Sequence, residues 1–199
     1  DWTEIAFVRD CQISRSSAVS RADRLMFPKP VKNKVDTVPL GTGKAAPVLI
    51  VGSVAFDDII TPTKTGRKTL GGSASYASIA ASFFAPVQLV GVVGNDFEPE
   101  FISRLENRGI CLEGLQHDSS GPTFFWAGEY ADNFNVRRTV DIKLNVFERF
   151  RPVLPQSYQI SQYVLLGNIG PDLQMHVLNQ LRGEAFVVAD TIDLWIETR

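Results

Sequence analysis

Cysteine and histidine are scarce in this 199-residue chain, which limits the metal and redox chemistry that it can carry. The cysteines are Cys11 and Cys111, and the histidines are His117 and His176. None of them forms the closely spaced pair of a zinc or haem site, so we predict no metal ligand set in these residues. Two cysteines this far apart are typical of reduced thiols, which indicates a cytoplasmic protein.

Strong net charge and an uninterrupted apolar span are absent too. The formal net charge is -2 at pH 7, which provides no overall attraction to nucleic acid or to an anionic membrane. Residues 70–94 carry no charge, but Gly71, Gly72 and Pro86 interrupt them and argue against a membrane-spanning helix. We therefore predict neither a nucleic-acid partner nor a membrane partner.

Several common enzyme motifs are also missing. The chain has no Gly-Lys-Ser/Thr of a Walker P-loop and no G-x-S-x-G of an acyl hydrolase. The segment Gly91–Asp96 has two glycines but lacks the third glycine of a dinucleotide fingerprint. A Rossmann dinucleotide-binding enzyme is therefore an unfavoured alternative, and we interpret these glycines as residues of a chain reversal.

The composition divides the chain near residue 46. Residues 1–46 have a formal balance of +3 and several Pro and Gly breaks, whereas the remainder has a balance of -5. A chain of this length holds one sizeable core. We predict an extension or linker over 1–46, poorly ordered, followed by one domain over 47–199.

From residue 47 onward, apolar runs alternate with amphipathic segments. This order predicts right-handed βαβ units and a mostly parallel sheet flanked by helices. Predicted strands cover 48–54, 87–93, 123–130, 135–140, 163–166 and 186–189, with a short hairpin within 59–70. Predicted helices cover 73–84, 97–105 and 171–181.

Ligands of such sheets gather at the carboxyl ends of the strands, where Asp57, Asp96, Asn168 and Asp190 are predicted to lie. A carboxylate such as Asp57 can accept two sugar hydroxyls, although an aspartate here is equally typical of a turn cap. The glycine pair at 71–72 allows a backbone to approach a ligand before a helix, although it is also typical of a simple tight turn.

An aromatic strand contains Phe124, Phe125, Trp126 and Tyr130. Such a strand can form a lid that excludes water from a bound sugar, or it can pack as an ordinary sheet. We include Trp126 among the candidate substrate contacts, together with Asn168 at the end of a predicted strand.

Six segments in this order resemble the PfkB/ribokinase-like carbohydrate kinases. They are VLIVGSVAFDD, LGGSASYASIAAS, VQLVGVVGNDF, FFWAGEY, YVLLGNI and FVVADTIDLWI. The resemblance covers residues 47–199 and implies a Rossmann-like α/β domain with a small β lid. It also implies a kinase that transfers a phosphoryl group from ATP with Mg²⁺ to a hydroxyl of a sugar or nucleoside.

The resemblance assigns substrate contacts to Asp57, Gly71 and Gly72. Tyr76 stands where many members have an asparagine that touches the sugar, so it is a further candidate contact and favours a nucleoside-like or unusual sugar. The lid is also a candidate surface for a homodimer.

The G-A-G-D type motif that carries the family's catalytic base does not occur in this chain. We therefore expect an N-terminal portion of a longer kinase, with its base beyond Arg199, inactive by itself and with an exposed apolar edge or face. The alternative is a non-catalytic sugar-binding or interaction protein derived from the same fold.

Overall fold

A computed structural model describes residues 45–132 and 134–198. The predicted extension over 1–46 lies almost entirely outside them and stays a prediction. The strands are β1 (Val48–Val51), β2 (Ala55–Ile60), β3 (Thr65–Gly71), β4 (Val87–Val93), β5 (Ile110–His117), β6 (Phe124–Tyr130), β7 (Arg137–Lys143), β8 (Tyr163–Leu166) and β9 (Phe186–Ala189). The helices are α1 (Ser73–Ala81), α2 (Pro99–Glu106), α3 (Pro171–Leu178) and α4 (Asp193–Thr198).

The larger sheet has five parallel strands in the order β5-β4-β1-β8-β9. Its central strands are apolar at nearly every position because helices or ordered loops cover both faces. α1 and α2 pack on one face together with Ile50 and Leu89. On the other face, α3 and the loop over 145–160 pack against Leu49 and Val90.

The smaller sheet has the order β3-β2-β6-β7 and forms the predicted lid. β2 pairs antiparallel with β3 and parallel with β6, and β6 pairs antiparallel with β7. Phe56 turns one face of this sheet towards Phe97 and Phe101 in the core. Side chains therefore alternate between this apolar face and the opposite face.

The mainly parallel α/β architecture and the β lid are confirmed, and five elements coincide with their predicted bounds to within a residue or two at each end. The prediction for 48–54 was wrong at its end: β1 stops at Val51, and the chain turns into β2 of the other sheet. Asp57 and Asp58 therefore lie inside a lid strand and not at the carboxyl end of a central strand. The reason is Gly52-Ser53, which breaks an otherwise continuous apolar run.

Two elements have no counterpart in the sequence prediction. β5 pairs parallel with β4 at the edge of the sheet, and α4 follows β9. The mixed polarity of β5 (ICLEGLQH) hides its strand character, because only one of its faces is well covered.

Within the residues that the structure describes, no helix has both the length and the apolar character needed to span a bilayer.

Candidate functional site

Asp57 is a buried carboxyl group in the middle of β2, with only 7% of its surface exposed. Burial raises the pKa of Asp57 from 3.8 to about 6, and the neighbouring charge of Asp58 adds to this rise. Hydrogen bonds from Tyr76 and from the backbone N–H of Gly72 act in the opposite direction. The two hydrogen bonds therefore offset only part of the cost of burying the Asp57 carboxylate, and its pKa remains at about 6.

The two glycines bring backbone against this carboxyl group. A Cβ on Gly71 would lie 2.1 Å from the Asp57 Oδ2 atom, so any side chain at position 71 would displace the carboxylate. Gly72 has a φ of 91°, and a Cβ there would lie 2.4 Å from the Ser53 carbonyl oxygen. Both positions therefore require glycine, and the interpretation of 71–72 as only a tight turn is too narrow.

Gly72 also begins α1, and the start of that helix is held by the turn after β1. The backbone N–H of Ser73 donates to the Ser53 Oγ atom at 2.9 Å, and the backbone N–H of Ala74 donates to the Ser53 carbonyl oxygen at 2.9 Å. Ser53 thereby satisfies two of the free N–H groups at the start of the helix. The sequence prediction missed this serine, although a serine after a strand is a common capping signal.

Tyr76 projects from α1 towards Asp57. Its hydroxyl donates to the Asp57 Oδ2 atom at 3.4 Å, and its side chain remains 48% exposed. Burial and the charge of Asp57 raise the pKa of Tyr76 to about 12, and Tyr130 contributes further. The phenol is consequently a neutral hydrogen-bond donor at physiological pH.

Trp126 is the register partner of Asp57 in the parallel β2–β6 pair, so both side chains lie on the same face of the lid. Its indole Nε1 atom donates to the Thr139 Oγ1 atom at 3.2 Å, and the Arg137 guanidinium lies over the ring at 5.3 Å. Gly128 leaves room for the ring, which spreads along the sheet. The face beside the carboxylate is therefore a flat aromatic surface.

The neighbouring carboxylate, Asp58, has a different environment. Its Oδ1 atom accepts the backbone N–H of Lys68 at 2.7 Å, and Arg67 lies 3.9 Å away. Asp58 therefore closes the β2–β3 hairpin, where the backbone of Lys68 has a positive φ of 47°. The capping alternative considered for this pair of aspartates applies to Asp58, whereas Asp57 is turned towards α1.

Asn168 follows β8, and its Oδ1 atom accepts a hydrogen bond from the Trp195 Nε1 atom at 2.8 Å. The preceding Gly167 packs against Ser73, where a Cβ would lie 2.7 Å from the serine Oγ atom. Asn168 therefore follows directly after a residue that contacts the start of α1, but its amide oxygen already accepts a hydrogen bond from Trp195 in α4. Of the six candidate residues, Asp57, Gly71, Gly72, Tyr76 and Trp126 come together, and Asn168 lies beside them.

The turn after β4 joins the two sheets. The Asp96 Oδ1 atom accepts the backbone N–H and the hydroxyl of Thr123, both at 2.7 Å, and the Thr123 hydroxyl lies 2.9 Å from the backbone N atom of Gly94. A Cβ on Gly94 would lie 2.3 Å from the carbonyl carbon of Pro122. Gly94 therefore serves the chain reversal, and Asp96 is a structural anchor for the first residue before β6. The same prediction was wrong for Gly91, which lies within β4 and pairs with Leu115, and a Cβ there would lie 2.8 Å from Val54.

The chain is similar to several kinases. The chain is 27% identical over 145 residues to a cytidine kinase of Thermococcus kodakarensis, a match that covers 71% of this chain and 50% of that protein. A ribokinase of Cryptococcus neoformans solved with ADP superposes with a TM-score of 0.59 at 17% identity, over 76% of this chain and 51% of the other. A Burkholderia thailandensis nucleoside kinase solved with inosine superposes with a TM-score of 0.56 at 14% identity, over 67% and 48%.

The chain has the ribokinase fold. The resemblance predicted from six sequence segments is thereby confirmed, although no protein-family model matches the chain. The chain spans half the length of the cytidine kinase and about half of each ribokinase-fold structure.

Metal-ligating side chains are dispersed in the part of this ribokinase-fold chain that the structure describes. Within residues 45–132 and 134–198, no group of three carboxylate, histidine or cysteine side chains lies close enough together to hold a metal ion.

Proposed function

We propose that residues 47–199 form the substrate-binding half of an ATP-dependent kinase that phosphorylates a hydroxyl group of a sugar or nucleoside. The fold supports a kinase of this class, and the related proteins named above are kinases that act on or bind such molecules. Asp57, Gly71, Gly72, Tyr76, Trp126 and Asn168 are the proposed substrate contacts.

The observation that carries this proposal is the environment of Asp57. A carboxyl group that is buried at considerable cost, faces an aromatic surface and borders a helix start is suited to receive hydroxyl donors in a water-poor site. Asp96 is held more closely by protein donors, since its Oδ1 atom accepts two hydrogen bonds from Thr123, both at 2.7 Å. Asp57 accepts one long bond from Tyr76 and one from a backbone N–H, which leaves acceptor capacity for a ligand.

The phosphoryl-transfer machinery is assigned to residues outside this sequence. Transfer of a phosphoryl group needs a positioned base and groups that neutralise the phosphate charge. The family resemblance places that base beyond Arg199, so the 199 residues alone are proposed to bind substrate without turnover. ATP and Mg²⁺ are proposed for the whole protein, as are a cytoplasmic location and a homodimer formed through the lid.

Isosteric substitution of the two adjacent aspartates tests the function. Asp57→Asn is expected to weaken binding of cytidine and of ribose to this chain by roughly tenfold to a hundredfold, because a charge-assisted hydrogen bond is lost. Asp58→Asn is the matched control, since its carboxylate serves the hairpin. Isothermal titration calorimetry measures both affinities.

Unchanged affinity in Asp57→Asn would contradict the proposal. A complete gene product that binds sugar through Asp57 but transfers no phosphate from MgATP would instead favour the alternative of a non-catalytic sugar-binding protein.

A further inference from the structure

The acceptor positions on Asp57 are limited. A carboxylate offers about four lone-pair positions. The backbone N–H of Gly72 uses one of them, and the Tyr76 hydroxyl donates to Oδ2 at 3.4 Å. The Gly71 backbone crowds both oxygens from another side, since a Cβ there would lie 2.1 Å from Oδ2 and 2.4 Å from Oδ1.

The Tyr76 phenol takes up an acceptor position on Asp57 that a second hydroxyl of a ligand would otherwise use. A vicinal diol that binds a carboxylate in a bidentate manner places one hydroxyl against each oxygen. Here Oδ2 already faces a hydroxyl donor that is part of the protein, 3.4 Å away on a half-exposed ring. The hydroxyl of a bound diol that approaches Oδ2 would have to displace this phenol or share Oδ2 with it.

We propose that Tyr76 is a specificity-determining residue that restricts Asp57 to one substrate hydroxyl, so that the site accepts a furanose lacking one hydroxyl of the vicinal diol about as well as the complete diol. This inference rests on the proposed function of Asp57. It adds a substrate class, that of deoxy-type nucleosides, and a physical reason for it. Trp126, on the same face of the lid, offers a flat surface to the rest of such a molecule.

Two nucleosides that differ by one hydroxyl provide the test. Cytidine and 2′-deoxycytidine are titrated into the full 199-residue chain, into Tyr76→Phe and into Tyr163→Phe. Tyr163 is an exposed tyrosine at the amino end of β8, and its substitution controls for loss of a phenol as such. We expect the wild-type chain and Tyr163→Phe to discriminate between the nucleosides by less than about threefold. In Tyr76→Phe the freed acceptor is expected to raise the preference for cytidine to about tenfold.

A pH titration of binding adds a readout that a merely structural role would not change. The titratable groups that act on Asp57 are Tyr76 from α1 and Asp58 on its own strand. Loss of the Tyr76 donor is expected to move the midpoint of the pH dependence of cytidine binding upward from about pH 6. The Tyr163→Phe midpoint is expected to stay in place.

The possible failures are distinguishable. If Asp57→Asn abolishes binding but Tyr76→Phe leaves both the cytidine preference and the midpoint unchanged, the specificity inference is wrong and the proposed function stands. If binding does not depend on Asp57, or if no nucleoside or sugar binds, the proposed function is wrong and the inference falls with it.

Discussion

The centre of the large sheet and the junction formed by Asp57, Gly72 and Tyr76 contribute differently to the stability of the fold. In the sheet, Leu49, Ile50 and Leu89 are fully buried among apolar neighbours, and their burial stabilises the fold. At the junction, a buried carboxyl has a raised pKa and Gly72 has a positive φ. The buried carboxyl costs free energy in the folded state, and the φ of Gly72 confines that position to glycine.

This difference supports the proposed role of these residues in binding a substrate. Proteins tolerate destabilising features where a ligand needs them, because the core supplies the missing stability. Four substitutions test the contrast, arranged from the largest expected effect on the free energy of unfolding to the smallest.

Leu89→Ala removes a fully buried side chain from the central strand β4. We expect it to lower the free energy of unfolding by about 2–5 kcal/mol, because a cavity replaces packed atoms. Val188→Ala in β9, which is 47% exposed, is expected to cost less than about 1 kcal/mol. Urea denaturation measures both, and equal losses would break the contrast between the covered strands and β9.

Gly72→Ala forces a Cβ against the Ser53 carbonyl oxygen at a φ of 91°. We expect a loss of about 2–3 kcal/mol from the clash and the backbone strain together. Gly183→Ala is the matched control, because Gly183 has a similar φ of 99° but no atom within 4 Å of its Cβ position. It is expected to cost about 1 kcal/mol. Thermal melts of both variants separate the cost of the clash with the Ser53 carbonyl oxygen from the cost of the positive φ.

Asp57→Asn is expected to change how stability depends on pH. The pKa of Asp57 is about 6 in the folded chain against an ordinary 3.8, so the folded state keeps its proton longer than the unfolded state. Stability contributed by this proton is complete below about pH 4 and is lost as the pH rises through 6. The asparagine variant is therefore expected to be more stable at pH 7 by about 2 kcal/mol.

Denaturation at pH 4, 5, 6 and 7 measures this dependence, with Asp58→Asn as the control. A slope between pH 4 and pH 6 that survives in Asp57→Asn would show that another group causes it. A more stable variant that no longer binds sugar would sharpen the contrast between core and junction.

Ser75→Ala removes a hydroxyl that is fully buried in α1 and has no hydrogen-bond partner. We expect no loss, or a gain of up to about 1 kcal/mol, because an unpaired polar group leaves the interior and alanine favours the helix. Ser82→Ala is the control, since the Ser82 hydroxyl donates to the Ile79 carbonyl oxygen at 2.7 Å. A loss for Ser75→Ala as large as that for Ser82→Ala would reveal a partner for this hydroxyl.

The fold was largely predictable because strands buried on both faces are nearly continuous apolar runs. Val87–Val93 and Tyr163–Leu166 have the predicted bounds, and so does Phe186–Ala189, an apolar strand whose residues are exposed. The end of β1 was not predictable in this way, because apolar residues resume at Val54 after Gly52-Ser53, although the chain changes sheets there. β5 and α4 were missed because an edge strand and a short terminal helix have weak periodicity.

The candidate site was predictable as a set of residues and not as an arrangement. Asp57 and the two glycines follow from residue types and spacing, but the two aspartates are indistinguishable in the sequence. The difference between them arises from β-strand alternation, which turns Asp57 towards α1 and Asp58 towards the backbone N–H of Lys68.

The sequence by itself determined the alternation of apolar strands and helices, the need for glycine before α1 and the absence of common nucleotide-binding motifs. Local chemistry is sufficient for these, because burial, backbone freedom and motif spacing are properties of neighbouring residues. Only the tertiary structure decided that Tyr76 faces Asp57, that Trp126 lies on the same face of the lid and that Asn168 is held by Trp195. These contacts join residues 19, 69 and 27 positions apart, and their geometry depends on how the two sheets and their helices pack.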